Sequence, residues 1–108
     1  MRISVVIPTH NRPQKTIQAI QSVIDQTYKH WDLIIVDDGS TDNSFEQISH
    51  FIKNKKNIKA IRSKKMGVSH SRNLGVKISQ NDWLSFLDSD DQWPVSYTHL
   101  TLPTTPYV

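Results

Sequence analysis

Two carboxylates, Asp88 and Asp90, stand two residues apart directly after the apolar run Trp83-Leu84-Ser85-Phe86-Leu87. Alternate residues leaving a strand can aim the same way, so such a pair can face one hard cation. Mg²⁺ or Mn²⁺ held by one or two protein carboxylates keeps positions open for phosphate oxygens. Asp91 adds charge beside them as a neighbour. Asp37-Asp38-Gly39-Ser40 repeats the layout after an earlier apolar run. A carboxylate there can accept from a base N–H or a ribose hydroxyl. The same segment reads equally as a turn followed by a helix cap.

Other chemistries are excluded or left unsupported. The chain has no cysteine, which removes disulfides, thiolate zinc sites and a cysteine nucleophile. The loop Pro8-Thr9-His10-Asn11-Arg12 carries no glycine, so the dinucleotide fingerprint is absent, and so is a Walker P-loop. His10, His30, His50, His70 and His99 show no metal-ligand spacing.

The elements needed to position these loops are legible as alternating periods. Ile3 to Ile7 is a short, nearly continuous apolar run closed by Pro8, the pattern of a strand buried on both faces. Pro13 suits a helical first turn, and Ile17, Ala19, Ile20, Val23 and Ile24 recur at helical spacing to about Gln26. Trp31 to Val36 is a second buried strand. Thr41 to Ser44 offers N-caps for a helix with Phe45, Ile48, Phe51 and Ile52 on one face. Ile58 to Ile61 forms a third strand. Ser69 can cap a third helix bearing Leu74, Val76 and Ile78, which Gly75 weakens, and Trp83 to Leu87 is the fourth strand. The order β-α-β-α-β-α-β predicts an α/β fold with right-handed crossovers and a mostly parallel sheet. Ligands of such sheets bind outside the carboxyl ends of the strands. The loops at Thr9–Arg12, Asp37–Ser40 and Asp88–Asp91 are thereby expected at one edge.

Composition sets the remaining bounds. With 108 residues and 36% hydrophobic content, the core is expected to be thin. The net charge is +3, much of it in Lys53, Lys55, Lys56, Lys59, Arg62, Lys64 and Lys65. That run reads as a solvated helix end and loop, or as a patch for a polyanion. No aromatic residue is interleaved for base stacking, so nucleic acid is not expected as a partner. No apolar run approaches the ~20 residues that span a bilayer. Met1 leads straight into the first strand without a signal-peptide layout, so a cytoplasmic location and a true N-terminus are expected.

Taken together, Val6-Ile7-Pro8-Thr9-His10-Asn11-Arg12, Ser22 to Tyr28, Ile35 to Asp42 and Phe86 to Asp91 resemble the family 2 glycosyltransferases of the GT-A (Rossmann-like) fold. Gly67-Val68-Ser69-His70-Ser71-Arg72-Asn73-Leu74-Gly75 is similar to that family's G-x-x-x-A-R-N-x-G stretch, with Ser71 where alanine is usual. The likeness runs in order from Ile3 to Trp93. It implies a nucleotide-sugar donor, for which a UDP-sugar is expected, and transfer to a saccharide or lipid-linked acceptor with inversion. It also implies that Pro8 and Thr9 lie against the nucleotide, Asp38 meets the base, Asp37 shapes that pocket and Arg72 lies close by. Asp88 would approach the ribose or the metal, and Asp90 would bind the divalent cation, Mn²⁺ or Mg²⁺. The family's acidic general base and acceptor elements lie downstream of the Asp-x-Asp loop, so no catalytic base is assigned in this chain and turnover by it alone is not expected. Association of an intact parent with the inner face of the membrane is compatible with this family.

The stretch 95–108 differs in character, with no charge, many threonines and Pro103 and Pro106. It resembles a translated sequencing adapter and is read as a non-native, disordered tail, leaving 1–94 as the N-terminal part of a GT-A domain truncated after its fourth strand. Two other classes compete. A haloacid-dehalogenase-type phosphohydrolase would use Asp88 as nucleophile, but its motif follows the first core strand and carries Thr or Val where Gln92 stands. A non-catalytic polyanion-binding module would rest on the lysine run and bind with steep salt dependence.

Overall fold

The computed structural model describes residues 3–26, 30–79, 83–87 and 105–106. The elements are β1 (Ile3–Thr9), α1 (Pro13–Ile24), β2 (Trp31–Asp38), α2 (Ser44–Ile52), β3 (Ile58–Ser63), α3 (Val68–Ile78), β4 (Trp83–Phe86) and β5 (Thr105–Pro106). The sheet order is β3-β2-β1-β4-β5. The first four of these strands are mutually parallel, and β5 runs antiparallel to β4. The expected α/β architecture is borne out. Of the 95–108 stretch, Thr105–Pro106 lies among the described residues, and the rest lies outside them.

Topology and handedness decide where the helices go. The first two crossovers step outward from β1 to β2 to β3, whereas the third returns past both to the far side of β1. Right-handed crossovers stepping in opposite directions place their helices on opposite faces. Accordingly α1 and α2 cover one face, where Ile3, Val5, Ile7, Leu33 and Ile35 pack with Ala19, Ile20, Val23, Ile48 and Ile52. The opposite face presents Val6, Ile34 and Val36, against which Ile61, Leu74 and Ile78 of the β3-α3 unit pack. The period-2 alternation of β1 and β2 sorts these side chains to the two faces.

The helix α3 packs Leu74 and Ile78 of its expected apolar face against β1 and β2, but both are only partly buried. Its buried residues are Ser71 and Gly75, one turn apart. A Cβ on Gly75 would come within 2.4 Å of Val6 Cγ1, so the glycine permits a close approach of α3 to β1. The cost in helix propensity has a packing reason. The cap is also shifted, since Gly67 holds the N-cap position and Ser69 lies inside the helix.

The reversal of strand order falls between β1 and β4, with β1 hydrogen-bonded to β2 on one side and β4 on the other. At such a switch point the loops leaving adjacent strands diverge to opposite faces and open a crevice. The N–H of Leu87, the residue before Asp88, donates to the Val6 carbonyl at 3.0 Å, so the chain leaves β4 still held against β1.

Candidate functional site

Beyond β1, the backbone turns through Asn11 at φ 52°, a left-handed conformation that asparagine tolerates better than most residues. This turn lets Asn11 clasp the loop after β2. Its N–H donates to Ser40 Oγ at 2.9 Å, and its Oδ1 accepts from the Thr41 N–H at 2.9 Å. His10 makes a parallel link, with Nδ1 lying 2.8 Å from the Asp38 carbonyl oxygen. A carbonyl can only accept, so Nδ1 carries the proton. Asn11 Nδ2 lies 3.2 Å from His10 Nε2. The first two strand-end loops are therefore joined through His10 and Asn11.

Pro8 and Thr9 are buried at the end of β1. The Thr16 hydroxyl donates to the Arg12 carbonyl at 2.6 Å, and Thr9 Oγ1 lies 2.6 Å from Thr16 Oγ1. The single hydroxyl proton of Thr16 is thus committed to Arg12, which leaves Thr9 as the donor to Thr16. Thr9 consequently fastens β1 to the first turn of α1.

Adjacent in sequence, Asp37 and Asp38 are both buried yet face different partners. The Asp37 carboxylate accepts from the Ser40 hydroxyl on Oδ1 and from the Ser40 N–H at 3.4 Å on Oδ2. Arg62 Nε stands 3.6 Å from the same Oδ2. Asp38 instead reaches the loop before α3, where Oδ1 accepts from the Met66 N–H at 2.8 Å and Oδ2 from the Gly67 N–H at 3.1 Å. Each Asp38 oxygen retains a second lone pair for a further donor. Between the two loops, Gly39 adopts φ +63°, and a Cβ there would lie 2.6 Å from the Lys65 backbone nitrogen. No side chain larger than hydrogen fits that turn without displacing the Lys65 backbone.

Arg72 projects from α3 toward β4, with its guanidinium carbon 5.8 Å from the centre of the Phe86 ring. It is thereby brought to the β4 side of the switch point. Asp88 and Asp90 lie outside the described residues. Among the described residues no group of three or more His, Asp or Glu side chains is placed to hold a metal ion. The structure thus gathers Pro8, Thr9, Asp37, Asp38 and Arg72 around the carboxyl edge of β1, β2 and β4.

Three supporting residues escaped sequence reasoning. Asn11 and Ser40 form the clasp, and Arg62 closes it from β3. The lysine run was read as one charged stretch, but its members differ. Lys53, Lys56, Lys59, Lys64 and Lys65 are exposed. Lys55 donates to the Phe51 carbonyl at 2.9 Å, and Arg62 is drawn into the Asp37 turn. The parallel register sets Arg62 opposite Asp37, a pairing between strands that local sequence periodicity does not signal. At the start of α2, Ser44 donates its hydroxyl and its N–H to Asp42 Oδ1, the N–H at 2.9 Å. These bonds, that of the hydroxyl foremost, hold the Asp42 carboxyl below the usual carboxylate range.

An open, parallel α/β sheet with polar loops joined across its carboxyl edge and a switch point beside its first strand defines a fold of the GT-A type. The chain belongs to glycosyl transferase family 2, whose model matches residues 4–100, a span that runs past Pro94. An uncharacterized glycosyltransferase of Rickettsia bellii is 43% identical over 90 residues, covering 83% of this chain and 13% of the relative. S. aureus TarS 1–349 in complex with UDP-GlcNAc is similar with a TM-score of 0.73 and 32% identity, over 85% of this chain and 27% of that one. The mannosyltransferase PcManGT from Pyrobaculum calidifontis, in complex with GDP-Man and Mn²⁺, shares the fold with a TM-score of 0.80 at 19% identity, over 86% of this chain and 28% of that one. The chain therefore spans well under half the length of each. Among the described residues no helix is long and apolar enough to cross a membrane.

Proposed function

We propose that this chain is the donor-binding half of a metal-dependent, inverting glycosyltransferase that takes a sugar from a nucleoside-diphosphate sugar, a UDP-sugar first among them. The observation that carries this reading is the joining of the β1 and β2 loops, with Asp38 tied to the start of α3, beside the β1–β4 switch point of a family 2 chain. In this reading Pro8 and Thr9 floor the nucleotide pocket, and the free lone pairs of Asp38 receive N–H or O–H groups of the nucleoside. Asp37 shapes the pocket from beneath, and the guanidinium of Arg72 stands on the phosphate side. TarS in complex with UDP-GlcNAc supports the choice of a uridine nucleotide as the first probe.

Asp88 and Asp90 would hold the divalent cation, since two carboxylates two residues apart offer the oxygen donors that Mn²⁺ or Mg²⁺ prefers. When bound, the cation offsets the charge that develops on the departing nucleoside diphosphate. In direct displacement an acceptor hydroxyl oxygen bonds to the sugar C1 as the C1–O bond to the diphosphate breaks, and a base takes the hydroxyl proton. None of the residues named here is assigned as that base. Such a positioned base contributes roughly 10²- to 10⁴-fold to the rate. The saccharide or lipid-linked acceptor is recognised elsewhere. The donor-binding unit is 1–94, with 95–108 a non-native addition.

The test is calorimetric titration of UDP into the chain with Mn²⁺ and with EDTA, repeated on Asp90→Ala. Mn²⁺-dependent binding is expected for the unaltered chain, weakened about tenfold or more by the substitution. Unchanged, equally metal-dependent binding by Asp90→Ala would remove Asp90 from the metal site.

A further inference from the structure

Arg62 occupies an unusual place for a residue of a solvated basic run. It sits next to last in β3, opposite Asp37 in the parallel register, and 48% of its side chain is exposed. Its guanidinium is nonetheless committed on several sides. Nε stands 3.6 Å from Asp37 Oδ2, and an Nη donates to the Ser40 carbonyl at 3.1 Å. The group lies over the Phe45 ring, 5.5 Å from its centre, with Glu46 Oε2 at 3.9 Å. Phe45 and Glu46 lie in the first turn of α2, so one planar cation joins the end of β3, the turn after β2 and the start of that helix.

From this arrangement we infer that Arg62 is a positioning residue for the nucleotide pocket, acting through Asp37 and Ser40 rather than by touching the donor. The inference rests on the proposed donor site for its functional consequence, though not for its geometry. Ser40 receives the Asn11 N–H on its hydroxyl oxygen and gives its own proton to Asp37, so the β1 loop depends on how the Asp37 turn is set. Arg62 fixes both ends of that turn, its first carboxylate and its last carbonyl. A lysine would keep the charge but not the planar fork that reaches two acceptors while lying on an aromatic ring.

Two readouts test this on the 108-residue chain, using Arg62→Met and Arg62→Lys. In amide hydrogen exchange of the free protein, both substitutions are expected to speed exchange at Ser40 and Thr41 by about three- to tenfold, the effect being moderated by the exposure of Arg62. The β1 amides should keep their protection. In UDP titration with Mn²⁺, affinity is expected to fall by a similar factor, and Arg62→Lys should not restore it. Acceleration spread evenly over the whole sheet, or unchanged exchange at Ser40 and Thr41, would overturn the inference. So would full restoration by lysine. If the unaltered chain binds no nucleoside diphosphate, the proposed donor site fails, while the exchange pattern still decides the role of Arg62.

Discussion

The two faces of the sheet are built on different terms. Under α1 and α2, the face is filled by branched aliphatic side chains, with Ile3, Val5, Ile7, Ile20, Leu33, Ile35 and Ile48 at 2% exposure or less. Under α3, three valine and isoleucine side chains of the strands meet a helix whose buried residues are a serine and a glycine. The first face supplies hydrophobic burial. The second supplies proximity, because small residues let α3 run close over β1 and carry Met66, Gly67 and Arg72 toward the strand ends. Stability and site placement are thereby assigned to opposite sides of one sheet.

Substitutions on each face should separate these contributions. On the thick face, Ile35→Ala removes a fully buried side chain and should cost about 2–5 kcal/mol, read from denaturant unfolding. A loss well below that range would mean the face is less tightly packed than its burial implies. On the thin face, Gly75→Ala should gain about 1 kcal/mol of helix propensity, yet force a methyl group into Val6. Overpacking of about 1–3 kcal/mol should exceed that gain, leaving a smaller net destabilisation than Ile35→Ala. Nucleotide affinity should fall with it, because α3 is pushed from the strand ends. A stabilised Gly75→Ala with full affinity would break the contrast between the faces.

How much of this was legible in the sequence depended on the range of the interaction. The strands were read from unbroken apolar runs such as Leu33-Ile34-Ile35-Val36, since burial on both faces leaves no polar alternation. The site loops were read from the abrupt change to Thr9-His10-Asn11 and Asp37-Asp38-Gly39-Ser40 at the ends of those runs. What each side chain does there was not legible. Asp38 reaches amides 28 and 29 residues away, and Arg62 reaches Asp37 through the pairing of β2 with β3. Such partners are set by sheet order and register, which local periodicity does not encode. Gly75 looked like a weakness in α3 because the strand it accommodates is 69 positions earlier, at Val6.

The central claim is that a nucleoside diphosphate binds across the carboxyl edge of β1, β2 and β4. Backbone amide shifts recorded on adding Mg²⁺ and UDP test it most directly. The account predicts the largest changes at Thr9 to Asn11, Asp38 to Ser40 and Met66 to Arg72. At the opposite edge, Ser4, Asp32 and the cavity-lining Lys56 and Lys59 should stay unmoved. Shifts gathered instead along Lys53 to Lys59, independent of Mg²⁺ and erased by salt, would contradict the claim and make the basic run the binding surface.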